Sequence, residues 1–201
     1  MKFSSSVERE NSPIYRSIRL ENRAALKRRW RVAQQLQELP PATARRLFPS
    51  QGELLKLLSA CTEAEVERMA NVSVPLFTVS LDLFIRAEDV VVGVAERPRD
   101  AMQAEAFDEL WQAMAARLDA IRQCPEEAQV AYHLSRSTVK RLSVYSPYEL
   151  AYVALQPSTV MLPLGRPEFF LSAIFGTEFR DRDLHILATL QRGVSGAGVA
   201  A

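Results

Sequence analysis

Between residues 15 and 39, apolar and basic positions separate onto opposite sides of a helical wheel. Ile18, Leu26, Trp30 and Leu36 fall on one side, and Arg16, Arg19, Arg23, Lys27, Arg28, Arg29 and Arg31 on the other. That period predicts a long amphipathic helix. Pro40-Pro41 ends it, because a residue before proline avoids the α region. Short helices follow at 42–48, 51–60 and 63–72, the second carrying the apolar row Leu54, Leu55 and Leu58. A β-like run at 74–81 comes next. A second long helix at 100–123 carries an apolar stripe of Leu110, Met114, Leu118 and Ile121.

From residue 125 the pattern starts again. An offset of 84 positions sets Pro41 on Pro125, Ala44 on Ala128, Phe48 on Tyr132, Lys56 on Lys140 and Leu58 on Leu142. Further on it sets Glu65 on Glu149, Ala70 on Ala154 and Leu76 on Val160. Each half shares one local grammar. A proline opens a short helix, where its missing N–H is not needed. A hydroxyl then precedes a glutamate by three residues, Thr62 to Glu65 and Ser146 to Glu149, which is the spacing of a capping box. Each half closes in a β-like run, the second at 159–162. The stretch 83–96, with Val90-Val91-Val92, reads as either strand or helix. Its counterpart at 167–176 starts with Pro167 and ends with Gly176, so both are read as helices. A last helix is expected at 177–192. The expectation is therefore a mainly all-α fold of two tandem units, 14–97 and 98–192, with short β-like segments, arranged as an internal pseudo-dimer. Residues 1–13 and 193–201 read as disordered ends.

Charge adds an asymmetry. The chain of 201 residues has a net charge of +1, but residues 1–50 hold 11 Lys+Arg against 4 Asp+Glu, and the rest is acidic. A basic front on an acidic body points to an anionic partner or to docking of like units on each other. A solvated helix face accounts for the same pattern. Cys61 and Cys124 stand alone and make neither a CxxC pair nor a zinc set. No apolar leader opens the chain and no apolar run is long enough for a membrane span. These features suggest a cytoplasmic protein with no cofactor and no metal.

Catalytic chemistry finds little support. The 7 glycines are scattered, so neither a phosphate-cradling loop nor a nucleophile elbow is present. His133 falls in a segment read as core. His185, near Asp181 and Asp183 on the last expected helix, reads as a surface or packed histidine rather than a base. Glu126-Glu127 suit the first turn after Pro125. An enzyme is not expected.

The stretch from Ala131 to Leu142, AYHLSRSTVKRL, resembles a helix-turn-helix whose turn is about two residues shorter than usual. In such a motif Arg136, Lys140 and Arg141 face phosphates, and Ser137 sits at the recognition-helix start. With the front helix, the candidate DNA-binding set is Arg16, Arg19, Arg23, Lys27, Arg28, Arg31, Arg136, Ser137, Lys140 and Arg141. The order of helices, followed by LxxLSxxTxxEVxxMA and VPLFxVxLD, resembles FlhD, the bacterial flagellar master-regulator subunit, over about residues 30–95 and 114–175. That resemblance implies an all-helical transcription factor, here with two units in one chain. It also implies an FlhC-like protein partner, double-stranded DNA bound together with that partner, and possible self-association. A helical adaptor or secretion-type chaperone that holds a partner on its apolar faces is the alternative.

Overall fold

Ser12 and Pro13 start the first helix. Ser12 is extended, its carbonyl accepts from Arg16 N at 3.1 Å, and Pro13 occupies the first turn. The computed structural model describes residues 12–35, 43–44, 47–79, 101–155 and 159–175, and over these it is mainly helical with one two-stranded sheet. The elements are α1 (Pro13–Gln34), α2 (Gly52–Ser59), α3 (Glu63–Ala70), β1 (Phe77–Val79), α4 (Ala101–Gln123), α5 (Pro125–Ala131), α6 (Arg136–Leu142), α7 (Pro147–Ala154), β2 (Met161–Pro163) and α8 (Pro167–Phe175). The helices expected at 83–95 and 177–192, and His185, lie outside the described residues.

The described residues up to Phe77 and from Pro163 onward form one compact unit. Thr78 to Leu162 form the other, so the chain passes between units within its two short strands.

In the first unit α1 packs on α2 and α3 through Ile14, Ile18, Ala25, Leu26, Val32 and Ala33, all buried. Leu54, Leu55 and Leu58 meet it from α2, and Val66, Met69 and Ala70 belong to the buried side of α3. The capping box at α3 is made in both directions, with Thr62 N donating to Glu65 Oε2 at 2.7 Å and Glu65 N to Thr62 Oγ1 at 3.3 Å. α8 covers α3 and α2, bringing Phe170 to 5.8 Å from Phe77. Gly165 permits the approach to α8, since a Cβ there would lie 2.4 Å from the Phe169 ring.

Two polar side chains organise this core, and both lie on the apolar side of α1. Asn22 Nδ2 donates to Val74 O at 2.8 Å and Val72 O at 3.3 Å, while its Oδ1 accepts from Leu76 N at 2.8 Å. The whole segment after α3 is thereby held to α1 through one amide, which satisfies backbone groups that would otherwise be buried without partners. Of the expected β-like run, 77–79 form a strand and 74–76, which hold the clip and Pro75, do not; residues 80 and 81 lie outside the described residues. Arg29 is 1% exposed. Its Nε donates to Gln51 Oε1 at 2.7 Å, and its guanidinium lies over Phe77 at 4.2 Å and Phe48 at 4.9 Å. α1 ends at Gln34, short of the expected 39, because Gln35 N turns back to Val32 O and leaves the helical conformation.

In the second unit α4 packs on α5, α6 and α7 through Leu110, Met114, Leu118 and Ile121, the expected stripe. Arg117 is buried within that stripe. Its Nη1 donates to Ala113 O at 2.7 Å and its guanidinium covers the Tyr132 ring at 4.8 Å. Ser146 and Glu149 complete a second capping box at α7. α6, α7 and β2 each begin 84 residues after α2, α3 and β1. Of the residues matched by that offset, Phe48 and Tyr132, Leu58 and Leu142, Val66 and Leu150, and Met69 and Val153 are buried in both halves, whereas Leu55 and Leu76 are buried and their counterparts Val139 and Val160 are only half-buried.

Candidate nucleic-acid interface

α5 and α6 are joined by a tight turn whose geometry follows from four residues. Pro125 opens α5. At the far end Leu134 N reaches back to Gln129 O at 2.9 Å, and His133 adopts φ 53°, in the left-handed region. His133 is thus an exposed turn residue and not the core residue the sequence suggested, and partial desolvation of its ring holds its pKa below the ordinary value. Leu134 is buried and anchors the turn. Ser135 then caps α6, its Oγ accepting from Thr138 N at 3.0 Å.

This arrangement buries Leu142 of α6 and leaves Arg136, Ser137, Lys140 and Arg141 exposed. Arg136 and Lys140 are four residues apart, one above the other on the helix surface. Neither makes a side-chain hydrogen bond or ion pair among the described residues. The Ser137 hydroxyl bonds the Ser135 hydroxyl at 2.7 Å, so it is placed at the helix start.

The front helix is different. Of its six candidates, Arg28 is buried with its guanidinium 4.7 Å from the Phe48 ring centre, leaving little of it to meet a phosphate. Arg23 Nε lies 2.7 Å from Glu67 Oε2, and Lys27 Nζ lies 2.7 Å from Glu67 Oε1 and 3.3 Å from Glu63 Oε1. The Lys27 hydrogen bond holds the Glu67 carboxyl below its usual range, and the bonds to Glu67 and Glu63 raise the Lys27 ammonium. Arg19 donates to Ser73 Oγ at 3.2 Å. Arg16 and Arg31 are exposed. Much of the basic front is therefore spent inside its own unit, neutralised by α3 or stacked on an aromatic ring.

No family model, curated protein or solved structure matches the chain. Among the described residues no helix is long and apolar enough to cross a membrane, and no three His, Cys, Asp or Glu side chains gather as a metal site.

Sequence reasoning passed over Asn22 and Arg117, and it set Arg29 on the basic side of α1, whereas Arg29 is buried in the core. The signal was present in their register. Asn22 and Arg29 follow Ile18 at four and eleven positions, and Arg117 follows Met114 at three, so each falls in an apolar row. A polar residue there must bring its own partner into the core.

Proposed function

We propose that the chain is a DNA-contacting subunit of a heteromeric transcriptional regulator, with α6 as the element that meets the nucleic acid. The observation that carries this reading is the pair Arg136 and Lys140: exposed, stacked on one helix face, and without partners among the described residues. They follow a capped turn that holds α6 against the core through Leu142. Unpaired cations on a fixed helix can neutralise phosphates without first breaking an internal ion pair. Most cations of α1 lack that freedom, so the DNA-facing role falls mainly to the second unit.

A partner belongs to the same reading. Val130, Val144 and Tyr148 in the second unit are 66%, 67% and 63% exposed, large apolar side chains left in water around the ends of α5, α6 and α7. Tyr148 and Tyr152 stack edge-on at 5.0 Å. Such side chains suit a protein contact, and the resemblance to FlhD makes an FlhC-like protein the partner we propose, in the cytoplasm and without catalysis. The segments 14–97 and 98–192 are read as copies of one ancestral unit, on the strength of the shared offset and of the pairs buried in both. These exposed apolar groups also favour the adaptor as second reading.

Gel-shift titration over a range of salt tests the choice. Arg136→Gln with Lys140→Gln should weaken duplex binding and flatten the salt slope by about 1–2, near 0.9 for each phosphate that is no longer neutralised. Affinity that ignores both substitutions and varies little with salt would favour the adaptor.

A further inference from the structure

A cleft of about 150 Å³ opens in the first unit between α1 and the C-terminal end of α3, lined by Arg16, Arg19, Leu20, Arg23, Ala70 and Asn71. We propose that it is a binding site for a phosphate group. The three arginines follow one another at three and four positions, so they share a single face of α1. Two are already held in place. Arg19 Nη1 bonds Ser73 Oγ at 3.2 Å, and Arg23 Nε meets Glu67 at 2.7 Å. Side chains ordered in advance lose less freedom when a ligand arrives. Arg16 is exposed, and its guanidinium makes no hydrogen bond or ion pair among the described residues.

Charge and shape select the ligand. Glu67 meets Arg23 of this group and is shared with Lys27, while three guanidinium groups line the cleft. A carboxylate offers two oxygens to these donors, whereas a phosphate offers three or four and matches more than one guanidinium fork. Asn71, exposed at the end of α3, adds an amide donor. Buried Ala70 and the Leu20 side chain, itself 58% exposed, supply apolar walls that strengthen the charge interaction. The volume has room for several waters, which a phosphate group would displace. This site is independent of the role of α6. The group can come from a free phosphate compound or from a nucleic-acid backbone, and the test separates the two.

Calorimetric titration of the full chain in chloride buffer would use pyrophosphate and, separately, a short DNA duplex. Pyrophosphate should bind, and Arg16→Gln with Arg19→Gln should weaken it at least about tenfold, the loss expected for charge-assisted hydrogen bonds. Arg16→Gln alone should leave the unfolding midpoint unchanged and still weaken binding, so misfolding cannot mimic the result. Where pyrophosphate fails to bind but duplex affinity falls about tenfold in the double variant, the phosphate is that of the nucleic acid and the site stands. Arg136→Gln with Lys140→Gln should leave pyrophosphate affinity intact. An equal loss there would mean diffuse attraction and overturn the site, as would binding of both ligands that ignores Arg16 and Arg19.

Discussion

Asn22→Ala should be among the most damaging substitutions of a polar residue in the first unit. The side chain is 1% exposed and closes three hydrogen bonds to backbone separated from it by 50 residues or more. Two of them, to Val74 O and from Leu76 N, are 2.8 Å long, and the third, to Val72 O, is 3.3 Å. At about 1 kcal/mol for each short bond, less for the long one, and a further penalty for buried groups left unpaired, the loss comes to about 2–4 kcal/mol. Asn22→Leu keeps the branched shape, adds some volume and removes the bonds, so it should cost at least as much. Asn22→Asp turns the donor toward two carbonyls into a carboxylate, and burial beside those carbonyls raises the folded-state pKa of the new group. Its proton is then held more tightly folded than unfolded. Stability of this variant should therefore fall as pH rises from about 4, the unfolded carboxylate value, through the raised folded value. Urea unfolding read by Trp30 fluorescence, in a Trp111→Phe background, isolates the first unit. A loss below about 1 kcal/mol for Asn22→Ala, or an Asn22→Asp deficit that does not grow with pH, would refute the clip.

Two other tests probe packing and charge. Leu58→Ala and Leu142→Ala, residues that are 0% and 1% exposed, should each cost about 2–5 kcal/mol in chemical unfolding, and a negligible loss at either would show that its site collapses freely. Lys27→Met removes the hydrogen bond that chiefly lowers the Glu67 pKa. The wild-type advantage should be full above the unfolded carboxylate value of about 4.3 and vanish as pH falls through the depressed Glu67 value. It should also vanish as alkali passes the raised Lys27 value, and salt should shrink it throughout, as pH-dependent melting curves can show.

The helix starts were readable because capping is local chemistry. Thr62 with Glu65, Ser146 with Glu149 and Pro125 need only their own neighbours, and each does what its spacing implied. The apolar rows Leu54–Leu58 and Leu110–Ile121 were readable for the same reason, since period alone sets which side is buried. The fate of the arginines was not. Arg carries a long apolar stem and a planar cation that stacks on rings, so it enters a core when an aromatic waits there. Whether Phe48 meets Arg28 and Arg29, or Tyr132 meets Arg117, is decided by packing between distant segments. The positive φ of His133 likewise follows from closing a turn that short, which a bulky residue does not announce.

The two units part company where nucleic acid would touch. At the start of α6 stand Ser135, Arg136 and Ser137, and 84 positions earlier stand Gln51, Gly52 and Glu53. Gln51 is committed to Arg29, Gly52 brings no side chain, and Glu53 binds Lys56 Nζ at 3.1 Å, so α2 presents no uncompensated charge. If the charge of α6 is what meets DNA, α2 can be given the same property. A Cβ at Gly52, the first residue of α2, would meet nothing within 4 Å, so Gly52→Arg fits. Adding Glu53→Ser removes the carboxylate and releases Lys56. The double variant then carries an arginine and a lysine four apart, as α6 does. Duplex affinity should rise without sequence preference, and the salt slope should steepen by about 1–2. An unchanged slope in a variant that melts no lower than the wild type would mean that exposed helical cations do not suffice here, and the role given to Arg136 and Lys140 would fall with it.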